Sequence, residues 1–202
     1  PQKELRDLKQ KFKADSISIH CNRFNYRELE PQAKTETKLF FTDINSTISN
    51  VTNIHQYLSK NPEAHLQING KLMGEGEMNL KIDMNVGSLK NKFRVEAECG
   101  PMSLQLMNPV TEASMKLSIR EGFNQKLITT FEANEDSSYG SMRFSYSDLK
   151  ISVLNDKDGS INEDKFISFI ANTFAVKSDN PRPGKILTPV NVKAKHNKQR
   201  SF

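Results

Sequence analysis

Tryptophan is absent, and only two cysteines, Cys21 and Cys99, occur in 202 residues. Two thiols are too few for a disulfide scaffold in a chain this long. They read as two separate buried thiols on strands, with pairing as the alternative in an oxidising compartment. Long apolar runs are also missing. Uninterrupted apolar stretches extend for only a few residues, far below the ~20 needed to span a bilayer as a helix. No signal-peptide pattern is present, and any membrane anchor would lie outside this segment. The chain starts at Pro1 and ends at Phe202 in a basic stretch, which reads as a piece of a longer protein. Glycine is sparse, at nine residues. Neither a phosphate-binding glycine loop nor a Gly-x-Ser-x-Gly elbow occurs.

Charge of one sign is lacking from the body of the chain. The net +5 resides in the tail from Lys177 to Phe202, which has seven basic residues and one acid, Asp179. The remainder is nearly neutral, so no nucleic-acid-binding surface is implied. The tail itself reads as a basic, solvated, extended arm.

Groupings that could carry chemistry fall away one by one. The histidines His20, His55, His65 and His196 are scattered, and no pair has the spacing of a helical zinc site. The run Asn155–Asn162 resembles the middle of a calcium-binding loop. With Gly159 at the sixth position, however, Leu154 and Lys165 occupy the places of two essential carboxylates. A turn before a helix is the better reading. Glu28 with Glu30, and Glu96 with Glu98, fit solvated faces better than acid–base pairs. The tripeptides Asn45-Ser46-Thr47 and Asn50-Val51-Thr52 match a glycosylation acceptor, a pattern frequent by chance. No catalytic, metal or cofactor site is expected.

What is present is alternation. Pro1–Lys13 reads as a short helix or frayed lead-in. Ser16–Cys21 alternates, and Phe24 and Tyr26 continue in a second short run, until Pro31. In Lys38–Val51, Phe40, Thr42, Ile44, Ser46 and Ile48 are expected on one face. Leu66, Ile68 and Leu72 lead to a sharp bend or bulge at Gly74-Glu75-Gly76. Met78, Leu80, Ile82, Met84 and Val86 then alternate with polar residues, giving one apolar and one wet face. After a turn at Gly87-Ser88, Phe93, Val95 and Ala97 alternate in the same way. Pro109 predicts a loop or short helical turn. Met115, Leu117 and Ile119 read as a strand, Glu121-Gly122 as a turn, and Lys126–Ala133 as a further strand. Tyr139–Leu154 reads as one long strand carrying Met142, Phe144 and Tyr146 on a face. Its phase slips near Ser147-Asp148, which predicts a bulge. Ser160–Val176 changes period and reads as a helix.

Three segments carry a family resemblance. Gly70–Gly76 followed by alternating strands, Met102–Pro109, and Gly140–Ile151 together resemble the C-terminal region of AsmA/TamB-type bacterial envelope proteins, in the form seen in Bacteroidetes-like bacteria. Phe24–Glu28, Ile170–Phe174 and Asp179-Asn180-Pro181 fit the same pattern. The resemblance covers roughly Ser16 to Pro181. It implies a periplasmic domain tethered to the inner membrane by a segment outside this chain, with a β-groove whose apolar face holds lipid and no catalytic motif.

The expected architecture is mainly β. An antiparallel curved sheet would form a groove or incomplete sandwich over residues 15–176, with one helix near Ser160–Val176. Residues 1–14 would be a charged lead-in and 177–202 the basic arm. The expected function is a non-enzymatic, periplasmic lipid-binding or lipid-transfer segment supporting the outer membrane. Its partner would be a phospholipid or other envelope lipid, with an envelope protein as a further possible partner. Candidate lining residues are Met78, Leu80, Ile82, Met84, Val86, Met115, Leu117, Ile119, Met142, Phe144 and Tyr146. Their methionine content suits flexible acyl chains. The competing expectation is a structural or protein-interaction β domain in which these faces close into a core.

Overall fold

The fold is that of a computed structural model, which describes residues 2–29, 35–154 and 177–195. One open antiparallel sheet dominates. Its strands are β1 (Lys13–Glu28), β2 (Thr37–Thr52), β3 (Glu63–Leu72), β4 (Gly76–Asn85), β5 (Phe93–Cys99), β6 (Met102–Ser103), β7 (Leu117–Ala133), β8 (Ser137–Val153) and β9 (Val190–Lys195). They lie side by side in the order β1-β2-β3-β4-β5-β7-β8-β9, with β6 pairing β7 off this path. Three short helices are also described: α1 (Gln2–Asp7), α2 (His55–Leu58) and α3 (Asn108–Met115). A 3-10 turn, Leu104–Met107, leads into α3. The expected helix at Ser160–Val176 and the turn at Asp156–Gly159 lie outside the described residues.

Local chemistry accounts for the connections. Met73 and Gly74 both take positive φ, +52° and +76°, and Glu75 N–H donates to Leu72 O at 3.1 Å. This is the primed turn whose twist suits adjacent antiparallel strands. Gly76 has no room for a side chain: a Cβ there would lie 2.6 Å from Met102 Sδ and 2.8 Å from Cys99 Sγ. Pro109 sits in the first turn of α3, where its missing N–H has no helical partner to lose. Lys116 ends that helix in the left-handed conformation, at φ 54°.

The structure revises several strand boundaries. β1 is one continuous strand of 16 residues rather than two runs. The expected Glu121-Gly122 turn lies inside β7, which pairs with β8 along its whole length. Register shifts between Ile119 and Lys126, with Gly122 at φ 147°, absorb the bend without breaking the ladder. The bulge expected at Ser147-Asp148 is present, with Asp148 at φ 55°. In β2, positive φ at Asp43 and a register shift between Thr42 and Asn45 interrupt the expected even-numbered face. Phe41 stands opposite Leu72, whereas Ser46 stands opposite Ile68.

The segment read as a solvated arm returns to the sheet. Leu149 N–H donates to Ser178 O, and Tyr146 and Asn180 exchange two backbone hydrogen bonds of 2.9 Å. β9 then pairs with the first residues of β8. Asp179 helps hold this return, accepting from Ser178 Oγ at 2.6 Å and from Asp148 N–H at 3.2 Å. The Ser178 hydrogen bond, then the Asp148 amide, lower the Asp179 pKa below 3.8. A depressed carboxylate stabilises the fold above its ordinary pKa, and that contribution disappears as pH falls through the folded value. Asp179→Ala at neutral pH should therefore speed hydrogen exchange at the Tyr146 and Leu149 amides several-fold while leaving those of β3 and β4 unchanged. Unchanged exchange at Leu149 would show that Asp179 does not secure the return.

Candidate functional site

Register decides which side chains share a face. Leu66 on β3 stands opposite Ile82 on β4, Ile82 opposite Val95 on β5, and Val95 opposite Phe131 on β7. The next row runs Ile68, Leu80, Ala97, Thr129 and Met142, and ends at Val190 on β9. A third row runs Met78, Cys99, Leu127 and Phe144. Cross-strand partners project from the same side of a sheet, so these rows form one apolar face.

The two ends of this face are covered. At one end Met73, Cys99 and Met102 form a buried cluster, with Leu106, Met107 and Leu127 packed against it. Asn108 ties the start of α3 to β7: its Oδ1 accepts from Ile119 N–H at 2.8 Å and its Nδ2 donates to Ile119 O at 3.0 Å. At the other end Ala64 and Val86 are each 1% exposed. Arg6 of α1 donates to Val86 O at 2.9 Å and Ser88 O at 2.8 Å. Between the ends most of the face is half-exposed: Leu66, Ile68, Leu80, Ile82, Phe131 and Met142 are all only partly buried. Val95, in the middle of the first row, is 5% exposed, and α3 packs against both β7 and β2, so the helix reaches from one side of the sheet to the other.

The opposite face is a charged ladder. His65 Nδ1 lies 2.6 Å from Asp83 Oδ1, Lys126 Nζ lies 2.6 Å from Glu98, and Arg94 contacts both Glu96 and Glu132. A shallow concavity of about 560 Å³ on this side is lined by Glu63, Asp83, Arg94, Glu132 and Tyr139, among others. There Arg94 pairs with Glu132, and Asp83 with His65; both pairs are open to water, where each is worth little. Among the described residues no group of three His, Cys, Asp or Glu could hold a metal. Burial pushes the Cys99 thiol up from 9.0, so it stays protonated, in the less nucleophilic form.

The sequence-derived lining divides into three groups. Met78, Leu80, Ile82, Met84, Met142 and Phe144 share the half-exposed face described above, and Ile119 is likewise half-buried, on β7. Val86, Leu117 and Tyr146 are buried at 1%, 6% and 3% exposure, so a ligand cannot reach them. Met115 is not on a strand: it closes α3 and is 40% exposed. Sequence reasoning left out Leu66, Ile68, Val95, Ala97, Leu127 and Phe131. Their alternation was visible, but their place beside β4 and β8 depends on pairing.

Among the described residues no helix is long and apolar enough to cross a membrane. No family model, curated protein or solved structure matches the chain.

Proposed function

We propose that the protein binds the acyl chains of a lipid on the apolar face of its open sheet, as a non-enzymatic lipid-binding or lipid-transfer segment of the bacterial envelope. The observation that carries this reading is the half-exposed row Ile68–Leu80–Ala97–Thr129–Met142–Val190. A contiguous apolar patch left in water marks a surface with a partner. With strands ~4.8 Å apart, the six strands β3–β5 and β7–β9 present about 24 Å of this row. That exceeds the ~15 Å length of one acyl chain, taken as half of a bilayer core.

Magnitudes favour a two-chain lipid. Burying an acyl CH₂ completely gives about 0.8 kcal/mol, so a chain covered on one side gains about half. Twelve such groups give about 5 kcal/mol, near the lower bound of the association cost. A second chain doubles the gain. The resemblance to AsmA/TamB-type proteins supports the same reading. With it come a periplasmic location, an anchor outside this segment and a role in outer-membrane homeostasis.

Native mass spectrometry of the full chain, with organic extraction of whatever co-purifies, tests the proposal. Stoichiometric diacyl phospholipid is expected. A clean apo mass, unchanged after incubation with phosphatidylethanolamine–phosphatidylglycerol vesicles, would overturn it in favour of a protein-interaction sheet.

A further inference from the structure

The return of the chain beside β8 is interrupted. Asn180 stands opposite Tyr146, and the next paired residue, Val190, stands opposite Met142. An unbroken antiparallel strand would place three residues between Asn180 and the partner of Met142; nine lie there, so the excess leaves the edge of the sheet. The chain turns sharply where it leaves. Lys185 N–H donates to Arg182 O at 2.9 Å, with Pro183 and Gly184 between them and Gly184 at φ +73°. This is the type II turn that a proline followed by a glycine specifies. It projects into open space: a Cβ on Gly184 would meet no atom within 4 Å.

The turn holds two cations and an apolar side chain together. Its geometry brings the Cα atoms of Arg182 and Lys185 within ~7 Å of each other, a like-charge pair. Ile186 follows, 89% exposed, more than any other large hydrophobic residue described. Between Asn180 and Lys195 there are four basic residues and no acid. Among the described residues none of Arg182, Lys185 and Lys193 has an ion-pair partner. On the wet face, by contrast, His65, Arg94 and Lys126 each stand against a carboxylate. The nearest acid along the chain, Asp179, already accepts from Ser178 and Asp148.

We propose that this turn docks the sheet edge on an anionic bilayer. Arg182 and Lys185 lie against headgroup phosphates, and Ile186 inserts among the headgroups. Unpaired cations select an anionic partner. An exposed isoleucine beside them selects a lipid surface over a nucleic acid, whose phosphates have no apolar layer beneath them. The place of the turn in the sheet agrees. It leads into β9, where Val190 ends the apolar row that starts at Ile68. Asn180 Nδ2 donates to the carbonyl of Phe144, which ends the row through Met78, Cys99 and Leu127. The docked edge is therefore the one at which both rows finish.

The inference goes beyond acyl binding on the row and does not require it. Flotation of the full chain with phosphatidylethanolamine–phosphatidylglycerol vesicles should show binding that falls as salt rises. Vesicles of phosphatidylcholine alone should bind far less. Arg182→Gln combined with Lys185→Gln should weaken binding about 30-fold, since each basic residue near an anionic surface gives about fivefold. Ile186→Ser leaves the charge unchanged and should weaken binding about tenfold. Lys60→Gln combined with Lys81→Gln removes the same charge elsewhere. Lys60 precedes β3 and Lys81 lies on β4, four or more pairings from β9. That is at least ~19 Å along the sheet, beyond the screening length, so binding should stay within about twofold. All five residues are exposed, so these variants should fold. Docking without stoichiometric lipid uptake would support this inference and count against acyl binding on the row. Equal binding to phosphatidylcholine, no effect of Ile186→Ser, or equal losses from the two double variants would overturn it. So would a chain that shifts a DNA duplex and ignores anionic vesicles.

Discussion

Gly140→Ala is expected to lower stability by about 3 kcal/mol, at the upper end of overpacking costs. Gly140 lies on β8 opposite Phe131 of β7. A Cβ there would fall well inside contact distance of Thr130 O and Phe131 Cβ, and 2.6 Å from Phe131 Cα. These atoms belong to backbone or sit directly on it, so no rotamer change relieves the overlap. The ladder between β7 and β8 must separate locally, and it joins the two longest described strands. Phe131 also stacks edge-on against Phe93 at 6.5 Å, so displacement spreads to β5. Gly100→Ala provides the control. Its Cβ would meet nothing nearer than 3.5 Å, and the change should be neutral or slightly stabilising through the unfolded chain. Urea or thermal unfolding checks both, with a midpoint drop of roughly 6–12 °C for Gly140→Ala. Equal midpoints for the two variants would show that the β7–β8 approach is looser than described.

Much of the sheet could be read from alternation. The Met78–Val86 run states its period and its two faces outright. The phase slip at Ser147-Asp148 marked a bulge because two apolar parities met there, and Asp148 takes the left-handed conformation that resolves them. Misreadings arose where local signals were absent or ambiguous. Met115 looked like the first residue of a strand because it shares parity with Leu117 and Ile119. The helix above it ends at Lys116 in a left-handed conformation, which sequence reasoning expects of glycine or asparagine. Gly122 resembled a turn, yet a single glycine of positive φ can bend a strand that stays paired. The basic composition of the tail pointed to solvent, while Val190 and Val192 supply the alternation that lets β9 join β8.

The candidate face was legible strand by strand but not as a surface. Alternation says which residues of one strand point the same way. It does not say which strands are neighbours, and β5 pairs with β7 across the intervening 3-10 turn and α3. Nor does it separate a covered position from an open one. Leu117 and Ile82 look alike in sequence, but Leu117 is 6% exposed while Ile82 stays half-buried.

That difference yields the most decisive expected result. Leu80→Asp combined with Met142→Asp should abolish co-purification of diacyl lipid while the protein stays folded. The two side chains share one row, with Ala97 and Thr129 between them. On a face open to water each aspartate keeps its hydration. The cost is then mainly strand propensity, about 1 kcal/mol per site. An acyl chain laid along the row would have to strip both carboxylates of water, which costs several kcal/mol per ion and exceeds what a one-sided chain contact returns. Leu117→Asp supplies the contrast. It places a charge at a position 6% exposed beneath α3, and an unpaired buried charge should cost about 3–5 kcal/mol. Mass spectrometry after extraction reads the lipid, and circular dichroism with urea titration reads the fold. A double variant that still carries lipid would move the binding surface elsewhere. A double variant that unfolds as badly as Leu117→Asp would mean that protein, not lipid, covers the row.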